Sequence, residues 1–138
     1  MTRHDLKDPS LFIEKAYVGG LWQDAESGDT LNVDNPSNGE IIGTIPACGA
    51  SETNAAIAAA HKAFKTFRKT TAEQRATLLE RWYDLVIENI EDLARIMTLE
   101  QGKPLAEAVG EVRYGASFIK WFAEEARRVN GYTVPSPS

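Results

Sequence analysis

Leu99-Glu100-Gln101-Gly102-Lys103-Pro104-Leu105-Ala106-Glu107-Ala108-Val109-Gly110-Glu111 reads as the end of one helix, a tight corner and the start of the longest helix in the chain. Gly102 suits the left-handed position just past a helix C-terminus. Pro104 suits the first turn of the following helix, where its missing N–H forfeits no hydrogen bond. Upstream, Leu93, Ile96 and Met97 carry an apolar stripe into the corner. Downstream, Leu105, Ala108, Val109, Val112, Ala116, Ile119, Phe122, Ala126 and Val129 hold one face as far as Asn130, where Gly131 is expected to close the helix. This spacing puts Phe122 in the core and leaves Tyr114 and Phe118 off the centre of the stripe.

Two further helices precede the corner. Ser51 is read as an N-cap, with Ile57, Ala60, Phe64 and Phe67 sharing one helical face. Thr71-Ala72-Glu73-Gln74 has the form of a capping box, followed by Leu78, Leu79, Trp82, Leu85, Val86 and Ile90 at helical spacing. The first third is β-like instead. Asp8 to Ile13 suits a short turn. Ala16-Tyr17-Val18 and Leu21-Trp22 flank Gly19-Gly20, a pair that permits positive φ at both turn positions of a hairpin. Leu31 and Val33 alternate with polar residues, Asn35-Pro36-Ser37-Asn38-Gly39 is a dense turn signal, and Glu40 to Pro46 returns. These strands are expected to form one small antiparallel platform. Strands first and helices clustered afterwards make an α+β chain, whereas a complete α/β domain alternates the two. The helices are therefore expected to lean on a sheet encoded further along.

Composition bounds the partners. Across 138 residues, a net charge of -5 argues against nucleic acid, including through a helix-turn-helix, and against an anionic membrane surface. No run approaches the eighteen or so apolar residues of a membrane span, and Met1 to Ser10 lack the pattern of a signal peptide. A single cysteine, Cys48, excludes an internal disulfide and suits the reducing cytoplasm.

Site chemistry is sparse. Cys48 has no base or paired histidine near it in sequence and reads as a small packing residue. His4, His61 and Cys48 are too scattered for a metal. Gly102-Lys103 lacks the glycine five positions earlier and the following Ser or Thr of a phosphate loop, since Met97 and Pro104 stand there. Gly110 and Gly115 lie inside a helical stripe with no strand before them, so they form no dinucleotide loop. Lys103, Glu107 and Glu111 recur at four-residue spacing and read as a surface ion-pair row worth about 0.3–0.5 kcal/mol per pair. No catalytic or cofactor-binding residue is assigned.

The run Met97 to Ala108 resembles the N-terminal signature of the aldehyde dehydrogenase superfamily, and within it the succinate-semialdehyde dehydrogenases. Val18-Gly19-Gly20-Leu21-Trp22, the Asn35 to Gly39 turn and Phe118-Ile119-Lys120-Trp121-Phe122-Ala123-Glu124-Glu125 support this. The resemblance implies an α/β parent enzyme that oxidises aldehydes to acids with NAD or NADP, through a cysteine and a glutamate lying beyond this region. It implies that residues 1–131 are the front of the NAD(P)-binding domain and 132–138 the start of a bridging, oligomerising strand. It also implies a monovalent cation held by Val33, Asp34 and Glu100, and a substrate tunnel bordered by Tyr114 and Phe118. Its partners would be the rest of the enzyme and the other subunits of a dimer or tetramer. Such a front fragment is expected to be inactive alone and to bind no cofactor alone. The alternative is a non-catalytic helical interaction module derived from that enzyme.

Overall fold

The computed structural model describes residues 5–137; His4 and the rest of 1–4, with Ser138, lie outside the described residues. The order is β1 (Ala16–Val18), β2 (Leu21–Gln23), β3 (Thr30–Asp34), β4 (Ile41–Pro46), α1 (Ala50–Phe67), α2 (Ala72–Glu88), α3 (Ile90–Gln101) and α4 (Leu105–Glu125), with 3-10 turns at Pro9–Leu11 and Ala126–Arg128. The α+β class stands, as strands followed by a helical cluster.

The strands form two separate antiparallel pairs where a single platform was expected. In the first, Tyr17 faces Trp22 across a turn with Gly19 at φ +62° and Gly20 at +91°. That hairpin leans on α1 through Gly19, close to Ala59. In the second, β3 and β4 pair from Thr30↔Pro46 to Asp34↔Ile41, with a bulge between Val33 and Asp34. The connecting turn is closed by Asn35, whose Oδ1 accepts from the Ser37 N–H at 3.0 Å and from its Oγ at 2.8 Å. Gly43 of β4 is the tight point of this pair. A Cβ there would stand 2.8 Å from the Phe12 ring and 3.0 Å from a Glu14 oxygen, which only a hydrogen accommodates.

Among the helices, α4 packs against α2 on one side and α3 on the other. The cluster at that junction is Ala94, Ala108 and Val112, flanked by Val86, Ile90, Leu93, Met97, Leu105 and Val109. Farther along α4 the buried positions are Ala116 and Ala123. Phe122, expected in the core, is exposed, and so is Val129. The reason is geometric: a line of small side chains at 108, 112, 116 and 123 lets α2, itself presenting buried Ala76, approach closely. Phe122 is rotated about 100° from Ala123 and misses that contact.

The caps refine three expectations. Helix α1 starts two residues earlier than read: Gly49 is its N-cap, Ser51 lies inside it, and Glu52 accepts the N–H of Gly49 at 2.8 Å and of Glu26 at 2.6 Å. Pro104 stands at the N-cap of α4, its carbonyl accepting from Glu107 and Ala108 at 3.0 Å. Gly131 does not end α4, which gives way at Ala126 to a 3-10 turn. There Arg127 forks onto Glu73 and Glu80 of α2 and holds both carboxyls below their ordinary pKa near 4.5, first by hydrogen bonding. Because the folded-state values are depressed, this contribution is complete above that ordinary value and disappears as pH falls through the folded ones. Arg127→Gln is therefore expected to lower the melting temperature at pH 7 and leave it unchanged near pH 2, read by circular dichroism. The Thr71–Gln74 capping box is present with both bonds, at 2.9 and 3.2 Å.

The corner itself is as read. Gly102 sits at φ +72° and donates its N–H to Thr98 at 2.9 Å. A Cβ on Gly102 would lie 3.0 Å from Pro36 Cγ, so the corner rests directly on the Asn35–Gly39 turn. Gly102→Ala adds a left-handed penalty of about 1–2 kcal/mol to that contact. It is expected to lower the denaturant midpoint with little change in m, a check made by urea titration.

Candidate functional site

Around this corner a cavity of about 190 Å³ opens between the hairpin β3–β4, helix α3 and the chain before β1. Val33, Thr44 and Ile45 wall it from the sheet, Ile96 and Glu100 from α3, and Leu11 to Glu14 from the leading segment, with Trp22 at its side. The structure thus brings together Val33 and Glu100, residues far apart in sequence. Asp34, the next residue on β3, is exposed and does not line the cavity. Burial pushes the Glu100 carboxyl above the ordinary carboxylate value. The Glu14 carboxylate accepts from the Thr44 N–H at 2.7 Å and its Oγ1 at 3.3 Å.

Among the described residues no three His, Cys, Asp or Glu side chains gather as a metal-binding cluster. The residues lining the corner cavity carry two carboxylates, Glu14 and Glu100, a donor type that suits a hard cation. Lys103 pairs with Glu111, where spacing had suggested Glu107 as its neighbour. Lys103 precedes the helix, so the four-residue face-sharing rule does not apply to it.

On α4, Tyr114 and Phe118 meet edge to face, ring centroids 4.9 Å apart at 83°. Both rings are exposed, with Trp121 and Phe122 following on the same helix. Neither is among the buried positions of α4, which are Ala108, Val112, Ala116 and Ala123. Cys48 is an exposed free thiol after β4. Gly110 and Gly115 sit inside α4 with open space where a Cβ would be, so neither shapes a loop for a pyrophosphate. Residues 129–137 have no regular secondary structure, and Tyr132 and Val134 are almost fully exposed rather than paired as a strand.

Sequence reasoning missed Asp92. It is 3% exposed in the first turn of α3 and accepts the N–H of Lys7 at 3.0 Å and of Asp8 at 2.8 Å. Those backbone donors, Asp8 first, hold its carboxyl below the ordinary value. An aspartate in a first helical turn is the sole local signal, and it does not reveal partners more than eighty residues away.

Comparison with known proteins adds the following. The pattern of the aldehyde dehydrogenase family matches residues 22–138. A glutarate-semialdehyde dehydrogenase of Pseudomonas aeruginosa is 58% identical over 94% of this chain and 27% of its own length. The NADP-dependent succinate-semialdehyde dehydrogenase of Escherichia coli is 53% identical over 94% of the chain and 27% of its own length. The crystal structure of a succinate-semialdehyde dehydrogenase from Burkholderia pseudomallei superposes with a TM-score of 0.94 at 56% identity, over 97% of this chain and 28% of that one. The chain therefore spans little more than a quarter of the length of such relatives.

Proposed function

This chain belongs to the aldehyde dehydrogenase family, and from that premise we propose that it is the front portion of an NAD(P)-dependent enzyme oxidising an aldehyde with a carboxylate at its far end. Succinate semialdehyde is the leading substrate. The observation carrying this reading is the high identity to two relatives whose named substrates, glutarate and succinate semialdehyde, share that layout of an aldehyde at one end and an acid at the other.

In such an enzyme the nicotinamide accepts hydride from the aldehyde carbon. This chain's part in that chemistry is support. Residues 1–131 form the front of the cofactor domain and 132–138 begin the bridging strand that joins subunits into a dimer or tetramer, in the cytoplasm. Tyr114 and Phe118 border the substrate path once the rest of the enzyme covers α4. A sodium or potassium ion sits beside the corner, on the Glu100 carboxylate and the carbonyls of Val33 and Asp34 at the edge of the cavity. The bulge at those two residues and the shared cavity wall of Val33 and Glu100 support that donor set.

The test is to follow the coding sequence in frame beyond Ser138 and assay the whole product for NADH or NADPH formation. Faster turnover of succinate or glutarate semialdehyde than of an uncharged aldehyde of equal length is expected, and equal turnover would refute the substrate class. In that product Phe118→Ala is expected to change the ratio of kcat/KM between the two semialdehydes by roughly 10-fold, the scale of one altered pocket contact. An unchanged ratio with reduced stability would make Phe118 a packing residue. Melting of the whole product in sodium or potassium is expected at a higher temperature than in choline at equal ionic strength, and equal melting would refute the cation site. The competing reading, a free-standing interaction module, gains support if translation stops at Ser138 and the product is a stable monomer.

A further inference from the structure

The segment before β1 touches the body at three places. Leu6 is buried, and the two N–H groups after it donate to the two oxygens of Asp92. Phe12 lies over Gly43 of β4 at a distance that leaves no room for a methyl group. Glu14 takes the N–H and hydroxyl of Thr44. Between the first and second contacts, Asp8 caps a single 3-10 turn by accepting the Ser10 N–H at 3.0 Å. Lys7 adds an exposed ion pair to Glu91 at 2.7 Å.

We propose that residues 6–14 are a strap latched at one end by the buried Asp92 carboxylate, and that its release as a unit opens the cavity containing Glu100. The physical reasoning has two parts. A buried carboxylate must be matched by donors, and here the donors that hold it are the strap's own backbone N–H groups, so removing either side leaves the other unsatisfied. The strap supplies Leu11, Phe12, Ile13 and Glu14 to the cavity wall. Among the described residues its ties to the body are these anchors rather than a strand or helix ladder, which places it among segments that open locally before the helical core does. Asp92 is thus a positioning residue for the cavity, acting through the strap, and this holds whatever the whole enzyme oxidises.

Hydrogen exchange of the backbone amides, resolved to single residues by fragmentation mass spectrometry on the whole in-frame protein, separates this role from general stability. In the unaltered chain the amides of Lys7, Asp8 and Thr44 should be protected. Asp92→Ala should raise exchange at Lys7 and Asp8 by roughly 10-fold or more, the scale of a lost hydrogen bond to a charged acceptor. Thr44, at the far end of the strap, should follow, while Val112 and Ala116 in α4 stay within about twofold. Asp92→Asn, which keeps one acceptor and the same shape, should release one of the two amides and leave the other protected. Unprotected Lys7 and Asp8 in the unaltered chain would overturn the proposal. So would an equal rise in α4, which would make Asp92 part of the global core, or a Thr44 amide that ignores the latch.

Discussion

Leu99→Ala is expected to cost about 2–5 kcal/mol, the range for a large buried aliphatic side chain cut to a methyl group. Leu99 is 2% exposed and the largest side chain the described fold buries so completely. It sits in the last turn of α3, immediately before the Gly102 corner, where α3, the corner and the Asn35–Gly39 turn meet. The other buried apolar positions are mostly alanines, which have little side chain to collapse into a vacated space. A loss of this size is a large fraction of the roughly 5–15 kcal/mol that a domain commands. Leu78→Ala is the control. Leu78 lies on α2 but is 58% exposed, and its truncation should change stability by less than about 0.5 kcal/mol. Urea unfolding read by tryptophan fluorescence gives both midpoints, and equal shifts would mean that Leu99 is not at the core.

The second large effect concerns the chain on its own: it is expected to self-associate and to oxidise no aldehyde. Three helices present uncovered apolar faces. They are Ile57, Phe64 and Phe67 on α1, Leu78, Trp82 and Leu85 on α2, and Phe118, Trp121 and Phe122 on α4. Helix α1 buries no residue fully, and the first hairpin approaches it where Gly19 meets Ala59. Covering one large apolar side chain gains about 1.5–3 kcal/mol. Covering several outweighs the roughly 4–15 kcal/mol lost when two molecules become one. Sedimentation should show mass rising with concentration, and Trp82→Glu with Phe64→Ser should shift the distribution towards monomer. A monodisperse monomer melting in one sharp step would contradict this expectation, and turnover of any aldehyde with either cofactor would contradict the inactivity.

Much of the local architecture was legible in the sequence because the physics that fixes it is local. The Gly19-Gly20 hairpin, the Asn35–Gly39 turn, the Thr71–Gln74 capping box and the Gly102 corner each depend on groups within about four residues. The helices were legible for the same reason, from spacing alone. Their packing was not. Helix α4 carries both a line of alanines and a line of aromatics, and hydrophobicity favours the aromatics as core. Close helix approach favours the alanines, and the structure follows approach. The Ser51 reading failed more simply. A serine was available, but Glu52 reaches Gly49 and Glu26 together and moves the helix start to Gly49.

The candidate site divides along the same line. Resemblance pointed to Glu100, Val33 and Asp34 as one group, and the fold sets the first two on a common cavity while leaving Asp34 outside its wall. Gly43 gave no signal at all, since its need for a bare hydrogen comes from a phenyl ring thirty-one positions earlier. Asp92 is the clearest case, because its donors lie at the other end of the chain.

The sequence by itself determined the helices, the Gly19-Gly20 hairpin, the Thr71 cap, the Gly102 corner and the family, because those follow from near-neighbour geometry and residue pattern. Tertiary structure alone decided which apolar face is buried, which carboxylate is held and where the cavity opens. Those outcomes turn on how closely two surfaces approach, and no spacing along one strand or helix encodes the shape of its partner.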